Sequence, residues 1–312
     1  MKKLLYVVIS FNFLFGFSQD VLPVDFQKVL KLFPNVRDLA MSSKSDEALF
    51  SAQNILKDRS VLIYMKKKNE VWSKPEIVSF SGKFHDMEPF FSKDDLRLYF
   101  VSNRPLDLQT NDSKDFDIWY VQREHLDAPW SDPINLGTPI NTKNNEFYPS
   151  LAENGNLYFT REDKSQTSLD DLYVSFFSEG EYTTPEKLPE TINSSTYDYN
   201  AFIAPDESYI IFGSYRREDS FGSGDLYVSY KTEKGWTPAK NLGEPINGKK
   251  LDYSPFIDYQ TNTFYFTSER AMEEPSHSDS LSVDILLKEF WKYSNGQSRL
   301  YKIKLDDVLD AN

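Results

Sequence analysis

Four acids and four arginines recur together along the 312-residue sequence, at a spacing that could gather them into one site. Asp86, Glu146, Asp198 and Asp252 are followed by Arg104, Arg161, Arg216 and Arg270, 18 residues later in three cases and 15 after Glu146. Carboxylates brought together from several strands can bind a cation, or act as acid and base at a glycosidic bond. Such chemistry needs two carboxylates in unlike surroundings. Here every acid has the same partner, and a guanidinium facing a carboxylate keeps it ionised rather than raising its pKa. We therefore read the pairs first as a repeated cross-strand ion pair that helps set register, each contributing on the order of 0.2 to 1 kcal/mol. The second reading makes Asp86, Glu146, Asp198 and Asp252 the acids of a glycan-active enzyme.

Other chemistry is sparse. The three histidines, His85, His125 and His277, lack metal-ligand spacing, and no nucleophile elbow or phosphate loop is present. His85, next to Asp86, is the one a ligand would meet. The stretch from Pro105 to Phe116 with Asp117 offers Asp107, Asp112, Asp115 and Asp117 to a calcium ion, but it fits no EF-hand pattern and reads as a solvated loop. No metal and no cofactor is expected. Cysteine is absent, which removes disulfides, thiolate metal sites, a nucleophilic thiol and a lipobox anchor. The net charge of −13 repels phosphate backbones and anionic lipid, so neither nucleic acid nor a membrane surface is an expected partner, and a basic partner suits it better. Residues 1–18 join Lys2 and Lys3 to an apolar run from Leu4 to Phe17, which reads as a cleavable signal with cleavage before Gln19. The remainder, 19–312, contains no further apolar stretch long enough to insert in a membrane, so a periplasmic or secreted protein is expected.

The elements that must position these groups are short strands. "NLGTPINTKNNEFYPSLAENGNLYFTRED" from Asn135 returns as "NLGEPINGKKLDYSPFIDYQTNTFYFTSER" from Asn241, and a third version starts at Lys187. The period is 53 or so residues, and each unit holds four strand signals separated by turns. In the unit "EPFFSKDDLRLYFVSNR" two strands flank a turn, "DIWYV" supplies a third, and "WSDPINLG" a fourth. Four strands at this period form a propeller blade, and blades stack to bury their recurring aromatics. Units start near residues 35, 86, 146, 198 and 252, which predicts an all-β, five-bladed β-propeller of four-stranded antiparallel blades in a single domain. The last unit stops short of a fourth strand, and residues 24–33 belong to no unit, so they are expected to complete it and close the ring. Facing residues of a hairpin have numbers whose mean falls at the turn, which sets each acid opposite its arginine. Asn141, Asn193 and Asn247, each five residues before an acid, read as turn residues between blades.

With "EPFFSKDDLRLYFVSNR", "DIWYV" and "LGTPINT" in view, the chain resembles the TolB-type WD40-like β-propeller repeat family from Val36 to Leu305. The resemblance implies the propeller fold and a range of roles: periplasmic interaction modules, parts of peptidases, or modules fused to OmpA-like peptidoglycan-binding domains. What departs from the repeat carries function more often than what obeys it. The largest departure is the 271–298 insertion in the last blade, where Val283, Leu286, Leu287 and Phe290 fall on one face of a short helix. That helix is expected to pack on the propeller or to present Trp291 and Tyr293 to a partner. The leading expectation is a non-catalytic platform for an envelope protein or a secreted ligand, bound at a mouth ringed by Asp86, Glu146, Asp198, Asp252 and His85. A glycoside hydrolase-like propeller is the alternative.

Overall fold

The computed structural model describes residues 20–107, 112–163, 169–271 and 282–309; the signal segment lies outside them. Its fold is the expected all-β, five-bladed propeller. The innermost strands are Asn35–Met41, Asp86–Phe91, Asn145–Leu151, Tyr197–Ile203 and Asp252–Asp258. Each pairs antiparallel with a second strand, Glu47–Gln53, Arg97–Ser102, Leu157–Asp163, Tyr209–Tyr215 or Thr263–Ser268, which pairs in turn with a third. Short two-residue strands form the outer edge of each blade. The third strands carry the largest buried rings, Trp119, Tyr227 and Tyr301, and burial of such side chains between neighbouring blades supplies most of the driving force.

The ring closes on itself, but of residues 24–33 only Val24 takes part, through its N–H to the Leu300 carbonyl at 3.4 Å. The strand that completes the last blade is Leu22–Pro23, paired with Arg299–Lys304 in the register Leu22↔Lys302 and Pro23↔Tyr301. Proline is tolerated there because an edge strand leaves one side of its backbone unpaired. Residues 24–33 instead turn through the helix Gln27–Leu30 and drive Val24, Phe26 and Leu30 into the core shared by the first, fourth and fifth blades. The Phe26 ring meets Trp72 edge-on at 5.2 Å, and Phe33 meets Phe50 at 6.0 Å. Their apolar pattern therefore records a plug rather than a strand.

Every inner strand carries one irregularity at the same place. The pairing register shifts between Arg37 and Ala40, Met87 and Phe90, Phe147 and Ser150, Tyr199 and Phe202, and Tyr253 and Phe256. Within each shift one residue adopts a left-handed backbone, at Asp38, Glu88, Tyr148, Asn200 and Ser254, with φ between 49° and 57°. A bulge of this kind adds a residue on one strand and re-aims its side chain. Here it turns one side chain per blade away from the sheet, and it sets the site described next.

Candidate functional site

The repeated acids are not at a mouth. Asp86, Glu146, Asp198 and Asp252 are all at most 1% exposed. Each carboxylate accepts the backbone N–H four residues back, from Gly82, Thr142, Ser194 and Gly248, and so caps the turn that enters the blade. Each also binds an arginine: Arg104 at 2.7 Å, Arg161 at 3.1 Å, Arg217 at 2.6 Å and Arg270 at 3.1 Å. The guanidinium donates a further bond to the carbonyl six residues before the acid, on Phe80, Ile140, Ile192 or Ile246. It also lies over rings from the second and third strands, as Arg270 does at 5.0 Å from Phe266 and 4.9 Å from Tyr301. In the first blade Val36 stands in place of the acid, and the amide of Asn35 beside it donates to the Asn54 carbonyl.

Three expectations change here. In the fourth blade the partner of Asp198 is Arg217, not Arg216, because that unit holds one more residue between acid and base. Asp86, Asp198 and Asp252 face Ser102, Ser214 and Ser268, and their arginines stand two or three residues further along the second strand's end; Glu146 alone faces its arginine directly. Burial lifts the pKa of Glu146 and of Asp252 above the ordinary carboxylate value despite Arg161 and Arg270, where the pairing was expected to hold both down. Asn141, Asn193 and Asn247 do more than turn the chain. Each side chain both accepts from and donates to the backbone of one third-strand residue, Ile118, Leu172 or Leu226, as a neighbouring strand would.

A pocket of about 680 Å³ opens at the end of the axis where the inner strands begin. Its inner wall takes one residue per blade, the one immediately before the bulge: Arg37, Met87, Phe147, Tyr199 and Tyr253. The ends of second strands add Gln53 and Tyr215, the start of the third strand Leu169–Ser175 adds Asp170, and the loops between second and third strands add Phe116 and Arg216. At its base, Arg37 binds Asp38 and Glu88, each at 2.7 Å. Asp38 also accepts from Ser51 and Ser254, and Glu88 accepts from the Tyr148 N–H at 2.8 Å. The Tyr148 hydroxyl reaches across to the Pro255 carbonyl at 2.9 Å, bridging the third and fifth blades. Burial, with Asp38 competing for the same guanidinium, pushes Glu88 up to about 7. Asp170 rises to about 6 through burial and the nearby Glu162 and Asp171. A second cavity, of about 1440 Å³, lies among the first-to-second strand turns, with Phe90, Phe202, Phe256 and Trp130 in its lining.

Of the residues singled out from sequence, His85 and Arg216 lie in the pocket lining. The His85 ring stacks edge-on against Phe116 at 5.3 Å, and burial together with Arg37 lowers its pKa, leaving the ring neutral. Arg216, freed from Asp198, has its guanidinium 5.4 Å from the Tyr215 ring. Tyr293 is no partner-binding edge: it is 6% exposed, and its hydroxyl donates to the Leu300 carbonyl. Trp291 is 71% exposed at the end of the helix Val283–Phe290. That helix does not pack on the propeller, since none of its residues is buried. Part of the insertion, 272–281, and residues 108–111 of the acidic loop lie outside the described residues. Lys114 binds both Asp115 and Asp117 at 2.6 Å. Among the described residues no group of three or more His, Asp or Glu side chains is placed to hold a metal ion.

No protein-family model matches the sequence, and no curated protein matches it. Solved structures do match in fold. TolB from Acinetobacter baumannii aligns with a TM-score of 0.45 and 11% identity over 86% of this chain and 54% of that one. An α-L-arabinofuranosidase from Lactobacillus brevis aligns at 0.50 and 10% identity over 86% of this chain and 90% of the other. Another from Podospora anserina, in complex with cellotriose, aligns at 0.50 and 11% identity over 92% and 94%. The chain spans about half the length of the TolB structure and of a sialidase that it also matches. At such identities the likeness is one of architecture, and what it shares with the sheet topology above is a single conclusion: the chain is a β-propeller.

Proposed function

We propose that the chain is an exported, non-catalytic propeller that binds a ligand or partner of the cell envelope through the pocket at the inner-strand entrance. One observation carries this reading: the acids that repeat are buried and bonded to the scaffold, whereas the pocket wall is built from a position that holds Arg, Met, Phe and, in two blades, Tyr. A scaffold repeats its parts, and a recognition surface varies them. Export rests on the Lys2–Lys3 and Leu4–Phe17 segment, and N-terminal sequencing of the secreted protein is expected to start at Gln19. The binding reading is tested by immobilising the mature protein beside a Tyr215→Ala variant and passing an envelope extract over both. Material held by the parent and lost from the variant supports it; equal retention, or none, overturns it.

A second reading draws on Glu88 and Asp170, two carboxylates with raised pKa values lining the same pocket. Groups poised near neutrality suit an acid and base of glycoside hydrolysis. If they act so, hydrolysis of an oligosaccharide by the parent disappears in both Glu88→Gln and Asp170→Asn; persistence in either variant removes that residue from the chemistry.

A further inference from the structure

The hydrogen-bonding capacity left over in the pocket is neutral. Among the described residues, nine buried side-chain polar atoms lack a partner, and three of them, Gln53 Oε1, His85 Nε2 and the Tyr199 hydroxyl, belong to residues lining this pocket. Gln53 is 6% exposed, so its carbonyl oxygen has given up bulk water with no bond in return, a costly state unless something enters to meet it. The charged groups at the base are already answered: Arg37 by Asp38 and Glu88, and Lys57 by Glu269. Arg216, on the loop after the second strand of the fourth blade, and Asp170, near the start of the third strand of the third, are of opposite sign and sum to zero.

The site is also built around one of the orphans. Tyr199 pairs across the sheet with Gly213, where a Cβ would fall 2.7 Å from the tyrosine ring. At Gly224 a Cβ would fall 2.7 Å from the Tyr199 hydroxyl. Both glycines have ordinary backbone angles, so what they provide is room. The equivalent of Gly213 in the first, third and fifth blades is Ser51, Thr160 or Thr267, whose hydroxyl accepts the bulged N–H of the next blade. In the fourth blade that bond is given up in favour of space for a tyrosine.

We infer that this pocket binds a neutral polyhydroxylated ligand, a carbohydrate, whose hydroxyls meet Gln53, His85 and Tyr199 while its ring lies among the aromatic walls. The inference rests on the binding reading above. A sugar hydroxyl is both donor and acceptor, which suits an acceptor, an imidazole nitrogen and a phenol in one place. The faces of Phe116, Phe147, Tyr215 and Tyr253 suit the apolar C–H faces of a pyranose or furanose. The volume falls within the roughly 300 to 1,000 Å³ of ordinary small-ligand sites, enough for more than one sugar unit.

Saturation-transfer NMR on the mature protein tests this, with neutral arabinose, xylose, glucose and galactose oligosaccharides as probes beside glucuronate and glucosamine. Transfer is expected to at least one neutral probe and to be stronger than to either charged one. Tyr199→Phe is expected to weaken that binding by several-fold to about tenfold, the usual effect of one hydrogen bond, without lowering the melting temperature, since the hydroxyl has no partner in the protein. Gly213→Ala, which displaces the ring, is expected to weaken it as well. Transfer only to charged probes, or neutral binding that Tyr199→Phe leaves unchanged, overturns the inference. If the envelope extract still yields material dependent on Tyr215 while no neutral sugar binds, the ligand class falls and the binding reading stands.

Discussion

A carboxylate with no exposure survives in a protein only if its bonds are met from inside, and the four buried acids show how one sequence rule does this repeatedly. The acid caps a turn four residues back, while its arginine reaches a carbonyl six residues back and lies on two rings. Removing one member strands the other, which typically costs about 3 to 5 kcal/mol for a buried pair. Arg217→Met is therefore expected to lower unfolding free energy by about 3 kcal/mol in urea titration. Arg216→Met, one residue away, is expected to stay within about 0.5 kcal/mol of the parent, because its guanidinium holds no carboxylate among the described residues. Equal effects would reassign the pair. The adjacent arginines explain why spacing alone selected the wrong one: a count of 18 holds in the second and fifth blades and falls on Arg216 in the fourth, whose pair is one residue longer. The same rule hid the pocket. Asp86 and its counterparts stood out because they repeat, while Arg37, Met87, Phe147, Tyr199 and Tyr253, one residue further along, are of four types in five blades. A position that varies where all its neighbours agree was the available signal.

The strands and their order were legible because the same strand signals, with turns between them, return every 53 or so residues. Closure was not, because two residues, Leu22 and Pro23, are too few to show any period, while the apolar residues 24–33 looked more like a strand than the true one. Their actual role predicts that Leu30→Ala, at a fully buried position in the core joining the first and last blades, lowers stability by about 2 to 5 kcal/mol. Deleting residues 20–23 should leave the edge of Arg299–Lys304 open and convert monomer to aggregate in size-exclusion chromatography; a monomeric truncation with unchanged melting would show that closure does not need that strand. The helix Val283–Phe290 was found by its pattern, and Ser282 caps it by accepting from the Ile285 N–H. Pattern gave it an apolar face but no place to put it. Replacing Leu286, Leu287 and Phe290 by serine is expected to change unfolding free energy by less than about 1 kcal/mol, since they are 37%, 47% and 61% exposed. A larger loss would mean that the helix packs after all.

Summed over the propeller, buried carboxylates make the fold sensitive to pH in one direction. Asp95, Asp117, Glu146, Asp171 and Asp252 are all raised by burial, and Glu88 reaches about 7. The turn acids Asp94 and Asp206, held by their own serine bonds, go the other way. For a raised acid the folded chain keeps its proton after the unfolded chain has lost it, so stability falls as pH climbs from the unfolded value to the folded one. For Glu88 that window runs from its ordinary value of 4.5 to about 7. Its span corresponds to at most about 3 kcal/mol. The net charge of −13 adds self-repulsion over the same range. The parent is therefore expected to be more stable at pH 5 than at pH 8 in urea titration. Glu88→Gln, which cannot titrate, should lose less stability than the parent between those two values, by up to about 3 kcal/mol, whatever its own stability at either end. Parallel curves for the two proteins would mean that Arg37 keeps Glu88 ionised throughout, and that the base of the pocket carries a fixed charge pair with no proton to exchange.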